Sequence, residues 1–236
     1  MGVAHTQHYL KTIYQIADFS SFRNILELPR MLWILSKARA YTMLDIPRLV
    51  FLYRLTREAD STKLPGNIVE CGVANGGSVA VLAFAARGTL MKRNIWLFDS
   101  FQGMPKPTKK DGKMAFDQYH EGWLKGDPVR VKQIFQELQI PLNNLRIVKG
   151  WFQETFPTVY VGQITLLHID ADWYESVELC LHKFYDSVVV GGSIVLDDYG
   201  CWEGCRRATD EFLKDRRLTG EFRQVDSSVA YYFRKS

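Results

Sequence analysis

The sequence predicts an α/β fold: a doubly wound, Rossmann-like sheet, mostly parallel, with a C-terminal antiparallel hairpin and N-terminal helices in front of it. Three observations carry that prediction. From Asn67 onward, apolar runs of strand length alternate with helix-patterned segments, as in a parallel sheet covered on both faces. Those runs end in glycine-rich or acidic turns, at the strand ends where open sheets bind ligands. The closing stretch GEFRQVDSSVAYYFRKS alternates and turns at Asp226-Ser227-Ser228, which is a hairpin pattern.

Residues 1–66 form the first segment, expected as a helical cover. Ile25-Leu26-Glu27-Leu28 and Met31-Leu32-Trp33-Ile34-Leu35 recur at helical spacing, with Arg30, Lys37 and Arg39 on the other side. A helix packed on the domain explains this pattern; so does a basic amphipathic helix at a membrane or partner surface. A second helix is expected from Pro47 to Ala59, since proline is tolerated in a first turn.

Residues 67–236 carry the sheet and form one globular unit with the first segment. Ile68–Cys71 is the expected first strand, Ser78–Arg87 a small-residue helix, and Asn94–Asp99 the second strand. Residues 102–127, QGMPKPTKKDGKMAFDQYHEGWLKGD, are polar and proline-bearing, so they read as an irregular lid-like loop. Helices are expected over Pro128–Leu138, Glu175–Tyr185 and Trp202–Arg217. Strands are expected over Leu145–Lys149, Ile164–Asp170 and Gly192–Asp198, the last following a Gly191-Gly192 turn.

The bulk properties narrow the function. A chain of 236 residues with 47% hydrophobic and 24% charged residues can bury a core without disulfides or structural metal. The net charge of +4 permits an anionic ligand, but the dense basic clusters of nucleic-acid binders are missing. The start MGVAHTQHYLKTIYQ has no signal-peptide layout, and no apolar run approaches ~20 residues, so a cytoplasmic location is expected. Cys71 and Cys180 lie in apolar runs. Cys201-x-x-x-Cys205 lacks the second pair or histidine that a zinc site needs.

Three strand ends carry chemistry. Glu70-Cys71-Gly72-Val73-Ala74-Asn75-Gly76-Gly77-Ser78 is a glycine-rich turn opening a helix, with spacing Gly-x-x-x-Gly-Gly rather than the dinucleotide Gly-x-Gly-x-x-Gly. Glu70 before it suits a cationic ligand better than a diphosphate. Asp99-Ser100 ends the next strand and offers a carboxylate for a ribose diol. Leu166-Leu167-His168-Ile169-Asp170-Ala171-Asp172 and Ile194-Val195-Leu196-Asp197-Asp198 end two more. If these strands are neighbours, Asp170, Asp197 and Asp198 converge, and a hard divalent cation relieves their repulsion. Asp172 precedes a helix and sits three residues before Glu175, the spacing of a helix cap, a role that does not exclude that of general base.

With these residues in view, the chain resembles the macrocin O-methyltransferase family, class I methyltransferases that modify sugar hydroxyls of antibiotics and related small molecules. The likeness runs from about Tyr41 to the C-terminus. It rests on Tyr41-Thr42-Met43, the Glu70–Ser78 turn, Phe98-Asp99-Ser100-Phe101-Gln102-Gly103-Met104-Pro105, Lys149-Gly150-Trp151-Phe152, His168–Asp172 and Leu196-Asp197-Asp198-Tyr199-Gly200. The resemblance implies that Tyr41, Thr42, Met43, Glu70, Gly72, Gly76, Ser78, Asp99, Ser100, Gly150, Trp151, Phe152 and Asp170 surround S-adenosylmethionine. It implies magnesium on Asp170, Asp197 and Asp198, and Asp172 as general base. A small-molecule acceptor, a sugar or glycoside, is the implied partner; nucleic acid is not, and a homodimer is left open. A nicotinamide dehydrogenase would want the dinucleotide glycine spacing and no aspartate triplet. A non-catalytic interaction protein on the same scaffold would be expected to lose the metal ligands, yet all three are present.

Overall fold

The structure is a computed structural model that describes residues 22–87, 91–218, 221–225 and 227–236; side chains are described from Leu28 onward. Expectations on the N-terminal start, the Ile25–Glu27 side chains and Asp226 lie outside the described residues.

Strand β1 (Asn67–Cys71) pairs in parallel with β2 (Ile95–Asp99) on one side and β4 (Ile164–Ile169) on the other. Beyond them lie β3 (Leu145–Lys149) next to β2 and β5 (Val188–Leu196) next to β4. The antiparallel pair β6 (Arg223–Gln224) and β7 (Tyr231–Arg234) completes, among the described residues, a seven-stranded sheet of order β3-β2-β1-β4-β5-β7-β6. The chain winds outward through β1, β2 and β3, then restarts at β4 on the opposite side of β1. That reversal opens a crevice at the carboxyl ends of β1 and β4, the place where doubly wound sheets bind ligands. β4 is buried at every position, as its unbroken run ITLLHI requires in a sheet covered on both faces.

The expected elements form within a residue or two of their predicted ends, with two corrections. β5 does not begin after a Gly191-Gly192 turn; it starts at Val188 and runs through both glycines. Gly191 sits at φ 81, and the pairing with β4 shifts register between Ile164 and Leu166. The glycines thus mark an irregularity inside the strand, a meaning that two adjacent glycines share with a turn. The second correction is partial and concerns residues 102–127, which are mostly irregular but not throughout. They hold a short 3-10 turn (Lys109–Asp111), the seven-residue helix α4 (Gly112–Gln118) and a turn at 121–124, closed at the base by Met104 N–H donating to Trp123 O at 2.8 Å. A helix this short buries little, Ala115 alone, and leaves no periodic signal to read.

Helix α1 (Phe22–Ala38) turns Met31, Ile34, Leu35 and Ala38 inward, an i, i+3, i+4, i+7 stripe, against α2 (Ile46–Ser61) and α3 (Gly77–Ala85). Each fully buried side chain of this size contributes about 1.5–3 kcal/mol. Those four side chains face the core, while Trp33 of the same run is 41% exposed. Among the described residues no helix is long and apolar enough to cross a membrane. α2 starts at Asp45, whose carboxylate accepts from Arg48 N–H at 3.0 Å, with Pro47 in the first turn. The remaining helices, α5 (Pro128–Glu137), α6 (Phe152–Thr155), α7 (Tyr174–Phe184) and α8 (Glu203–Asp215), complete the two covering layers. All four cysteines are free, and Cys71, Cys180 and Cys205 are buried.

Candidate active site

A cavity of about 350 Å³ opens at the carboxyl ends of β1 to β4, within the usual range for small-molecule sites. Gly72 lines it at the end of β1, Asp99 and Ser100 at the end of β2, and Gly150, Trp151 and Phe152 after β3. Asp170 and Asp172 line it beyond β4, and Met43 stands at its mouth, 67% exposed. Gly72 has a geometric reason to be glycine. It has φ 85, and a Cβ there would lie 1.7 Å from the carbonyl oxygen of Asp170. β1 and β4 could not close so tightly around any other residue.

Tyr41, Thr42, Glu70, Gly76 and Ser78 stand back from the cavity wall. Tyr41 is buried; its hydroxyl donates to Glu137 at 2.7 Å and its carbonyl accepts from Gly77 N–H, which ties the strap before α2 to the body. Thr42 packs beside Gly77 and accepts from Leu44 N–H at 3.1 Å. Gly76 packs against Val131, and Ser78 is buried in α3. Asp99 uses its carboxylate to knit the site. Oδ2 accepts from Val73 and Ala74 N–H at 2.7 and 2.8 Å, and Oδ1 from Phe101 N–H at 2.6 Å. A carboxylate has about four acceptor directions, so one remains toward the cavity.

Behind the wall lies a carboxylate cluster. Asp170, Asp197 and Asp198 each bring an oxygen within 4.8 Å of the others, from the ends of β4 and β5, which are neighbours as expected. Burial pushes the carboxyls of Asp170 and Asp198 well above the usual range, and the surrounding aspartates push them further. Asp198 Oδ2 is buried without a hydrogen-bond partner. An orphaned anionic oxygen among like charges is costly in a protein interior, and a hard dication is the ligand that satisfies it. The donor set therefore fits magnesium.

Two cations approach the cluster, and neither was singled out from the sequence. Arg48, from the first turn of α2, forms an ion pair with Asp197 through Nη1 and with Asp45 through Nε at 3.2 Å. His168, wholly buried in β4, places Nδ1 2.8 Å from Glu70 Oε1 and Nε2 3.6 Å from Asp197 Oδ1. Burial opposes protonation of His168, but the nearby carboxylates of Asp197 and Glu70, the latter hydrogen-bonded to Nδ1, outweigh that and raise it to about 9. Glu70 thus lies under the cavity floor as the partner of a histidine rather than in the wall. A histidine inside an otherwise apolar strand was the one available signal, because a buried imidazole needs polar partners.

Asp172 does not cap the helix that follows it. The N-cap of α7 is Trp173, without a side-chain bond, and the N–H of Tyr174 donates instead to Asp111 Oδ1 at 2.6 Å. Asp172 sits at φ 51, an uncommon backbone state that Asp tolerates better than most residues, and its carboxyl lies near Trp202. Burial, then the charge of Asp197, raises it to about 7. Trp202 belongs to an aromatic cluster with Trp173 at 4.9 Å and Trp123 at 6.0 Å between ring centroids. Trp173 in turn donates to Pro105 O at 2.9 Å.

Asp111 is the buckle of the 102–127 excursion. Its Oδ2 accepts from Thr108 N–H and Oγ1–H at 2.7 and 2.9 Å while Oδ1 holds α7, and it borders the cavity itself. Charged hydrogen bonds of this kind are worth about 1.5–3 kcal/mol each. Asp111→Ala is expected to raise amide hydrogen exchange across 104–124 by roughly tenfold or more and to weaken binding of S-adenosylhomocysteine. Exchange identical to wild type would show that the excursion does not depend on this residue.

A 3-2-1-4-5-7-6 sheet with a ligand cavity at its switch point, a carboxylate ending β2 and an aspartate cluster ending β4 and β5 defines a class I S-adenosylmethionine-dependent methyltransferase. The chain belongs to the Macrocin-O-methyltransferase (TylF) family, which matches residues 33–235. It is accordingly an O-methyltransferase. Its relatives include demethyldecarbamoylnovobiocin O-methyltransferase of Streptomyces niveus, 30% identical over 202 residues that cover 84% of this chain and 77% of that protein. Mycinamicin III 3''-O-methyltransferase of Micromonospora griseorubida is 30% identical over 207 residues, covering 84% and 80%. The solved O-methyltransferase NovP superposes with a TM-score of 0.77 at 29% identity, covering 83% of this chain and 82% of that one.

Proposed function

We propose that the chain methylates one hydroxyl of a vicinal diol on a sugar or other natural-product small molecule, with magnesium held by Asp170, Asp197 and Asp198 and Asp172 as general base. The observation that carries this reading is the joint placement of the aspartate cluster and Asp172 beside the cavity that Asp99 also lines. The relatives named for demethyldecarbamoylnovobiocin and mycinamicin III support a natural-product acceptor.

When bound, S-adenosylmethionine supplies a methyl group on a sulfonium, and magnesium supplies positive charge that makes an adjacent hydroxyl more acidic. Asp99 accepts a ribose hydroxyl through its remaining direction, and Trp151 and Phe152 offer apolar surface beside it. Asp172 would take the proton from the acceptor hydroxyl as that oxygen bonds the methyl carbon, while the carbon–sulfur bond breaks and its electron pair stays on sulfur, leaving neutral S-adenosylhomocysteine. Trp173 and Leu124 in the wall limit the entry of water.

The test combines binding and turnover. Titration calorimetry is expected to show heat with S-adenosylhomocysteine and none with NAD. A panel of glycosides and catechol-like diols is expected to contain acceptors whose methylation stops in EDTA and returns with magnesium. Turnover undiminished by EDTA would remove the metal from the mechanism, and acceptors confined to isolated hydroxyls would remove the diol.

A further inference from the structure

We propose that Arg48 is the resident counter-ion of the carboxylate cluster, occupying Asp197 in the metal-free protein and leaving it when metal loads. The inference rests on the assignment of Asp170, Asp197 and Asp198 as metal ligands.

The geometry of Asp197 forces the exchange. Its carboxylate is 2% exposed and both oxygens are faced by nitrogen groups, Oδ1 by the His168 ring at 3.6 Å and Oδ2 by the Arg48 guanidinium. Arg48 is itself only 15% exposed, so the pair is poorly screened by water. A dication bound to this carboxylate meets the guanidinium charge at contact range, where repulsion between like charges is strong. His168 cannot retreat, because it is buried in β4 and bonded to Glu70. Arg48 can: it projects from the first turn of α2, and its Nε is already held at 3.2 Å by Asp45, which is 47% exposed at the rim. Asp45 thus offers the guanidinium a second carboxylate without a move of the helix.

The arrangement has a consequence for affinity. Metal binds only the fraction of molecules in which Arg48 has left Asp197, so the apparent affinity is lowered by that fraction. The arginine also shields the three aspartates from one another while no metal is present. Removing it should therefore tighten metal binding and weaken the metal-free fold together, a combination that a purely supporting residue does not produce.

The experiment is calorimetric titration of magnesium into metal-free wild type, Arg48→Lys and Arg48→Gln. Arg48→Gln is expected to bind magnesium roughly tenfold more tightly or better. Arg48→Lys should fall between the two, since an ammonium lacks the planar fork that grips a carboxylate. Thermal unfolding gives a second reading: EDTA should lower the midpoint of each variant more than that of wild type. If Arg48→Gln does not fold without metal, Arg48→Lys carries both measurements. Equal or weaker magnesium binding in the variants, with wild type still binding, overturns the exchange and leaves the metal site standing. A wild type that takes up no magnesium at millimolar concentration overturns the metal site, and the exchange with it.

Discussion

Asp172→Asn is expected to lower turnover by roughly 10²–10⁴-fold, the usual loss when a general base is removed, with magnesium and S-adenosylhomocysteine affinity unchanged. The substitution is clean because of where Asp172 sits. Asn preserves the side-chain volume and tolerates the backbone state at φ 51 as readily as Asp does. The start of α7 is held by Asp111, so no helix cap is lost, and removing a carboxyl that burial and Asp197 push up should leave the melting temperature no lower than wild type. Excess magnesium should not restore activity. Near wild-type turnover at saturating donor, acceptor and magnesium would refute the base assignment and leave the charge at Asp170, Asp197 and Asp198 as the sole source of activation.

Asp198→Asn is expected to produce the complementary result, a loss of magnesium affinity of ~10²-fold or more, beyond what changes outside the ligand set usually cost. Activity should return in part at high magnesium. Asp198 isolates the metal better than Asp197 does. Asp197 answers Arg48 and His168, so neutralising it strands two cations and mixes several effects. Asp198 Oδ2 has no partner to lose, and its carboxyl is already pushed up by burial and by Asp172 and Asp197. Removing its charge should therefore stabilise the metal-free protein while it weakens the metal. Calorimetric titration with thermal unfolding in EDTA and in magnesium reads both signs. Unchanged magnesium affinity together with unchanged metal-free stability would exclude Asp198 from the cation site.

Much of the molecule was legible in the chain because the signals were local. Strand-length apolar runs such as Ile164–Ile169 imply burial on both faces wherever they pack. Pro47 marks the first turn of a helix by backbone chemistry confined to one turn. The stripe Met31, Ile34, Leu35, Ala38 identifies the inward face of α1 without saying what covers it. The helix inside residues 102–127 left no trace in the sequence because α4 is too short to show a period and is held by Asp111 and the tryptophan cluster rather than by its own propensity.

The sequence alone determined which strand ends carry acidic residues, and hence that three aspartates could share one place. Tertiary structure decided what surrounds them. Arg48 reaches Asp197 across 149 positions of chain, and Glu70 meets His168 across 98, so no spacing rule could pair them. Asp172 could be read from sequence as cap or base; the arrival of Asp111 at α7 decided against the cap, because one backbone N–H needs only one acceptor. Local pattern reports how a side chain relates to its own element, whereas a site is made where elements meet, and only the closed sheet sets those meetings.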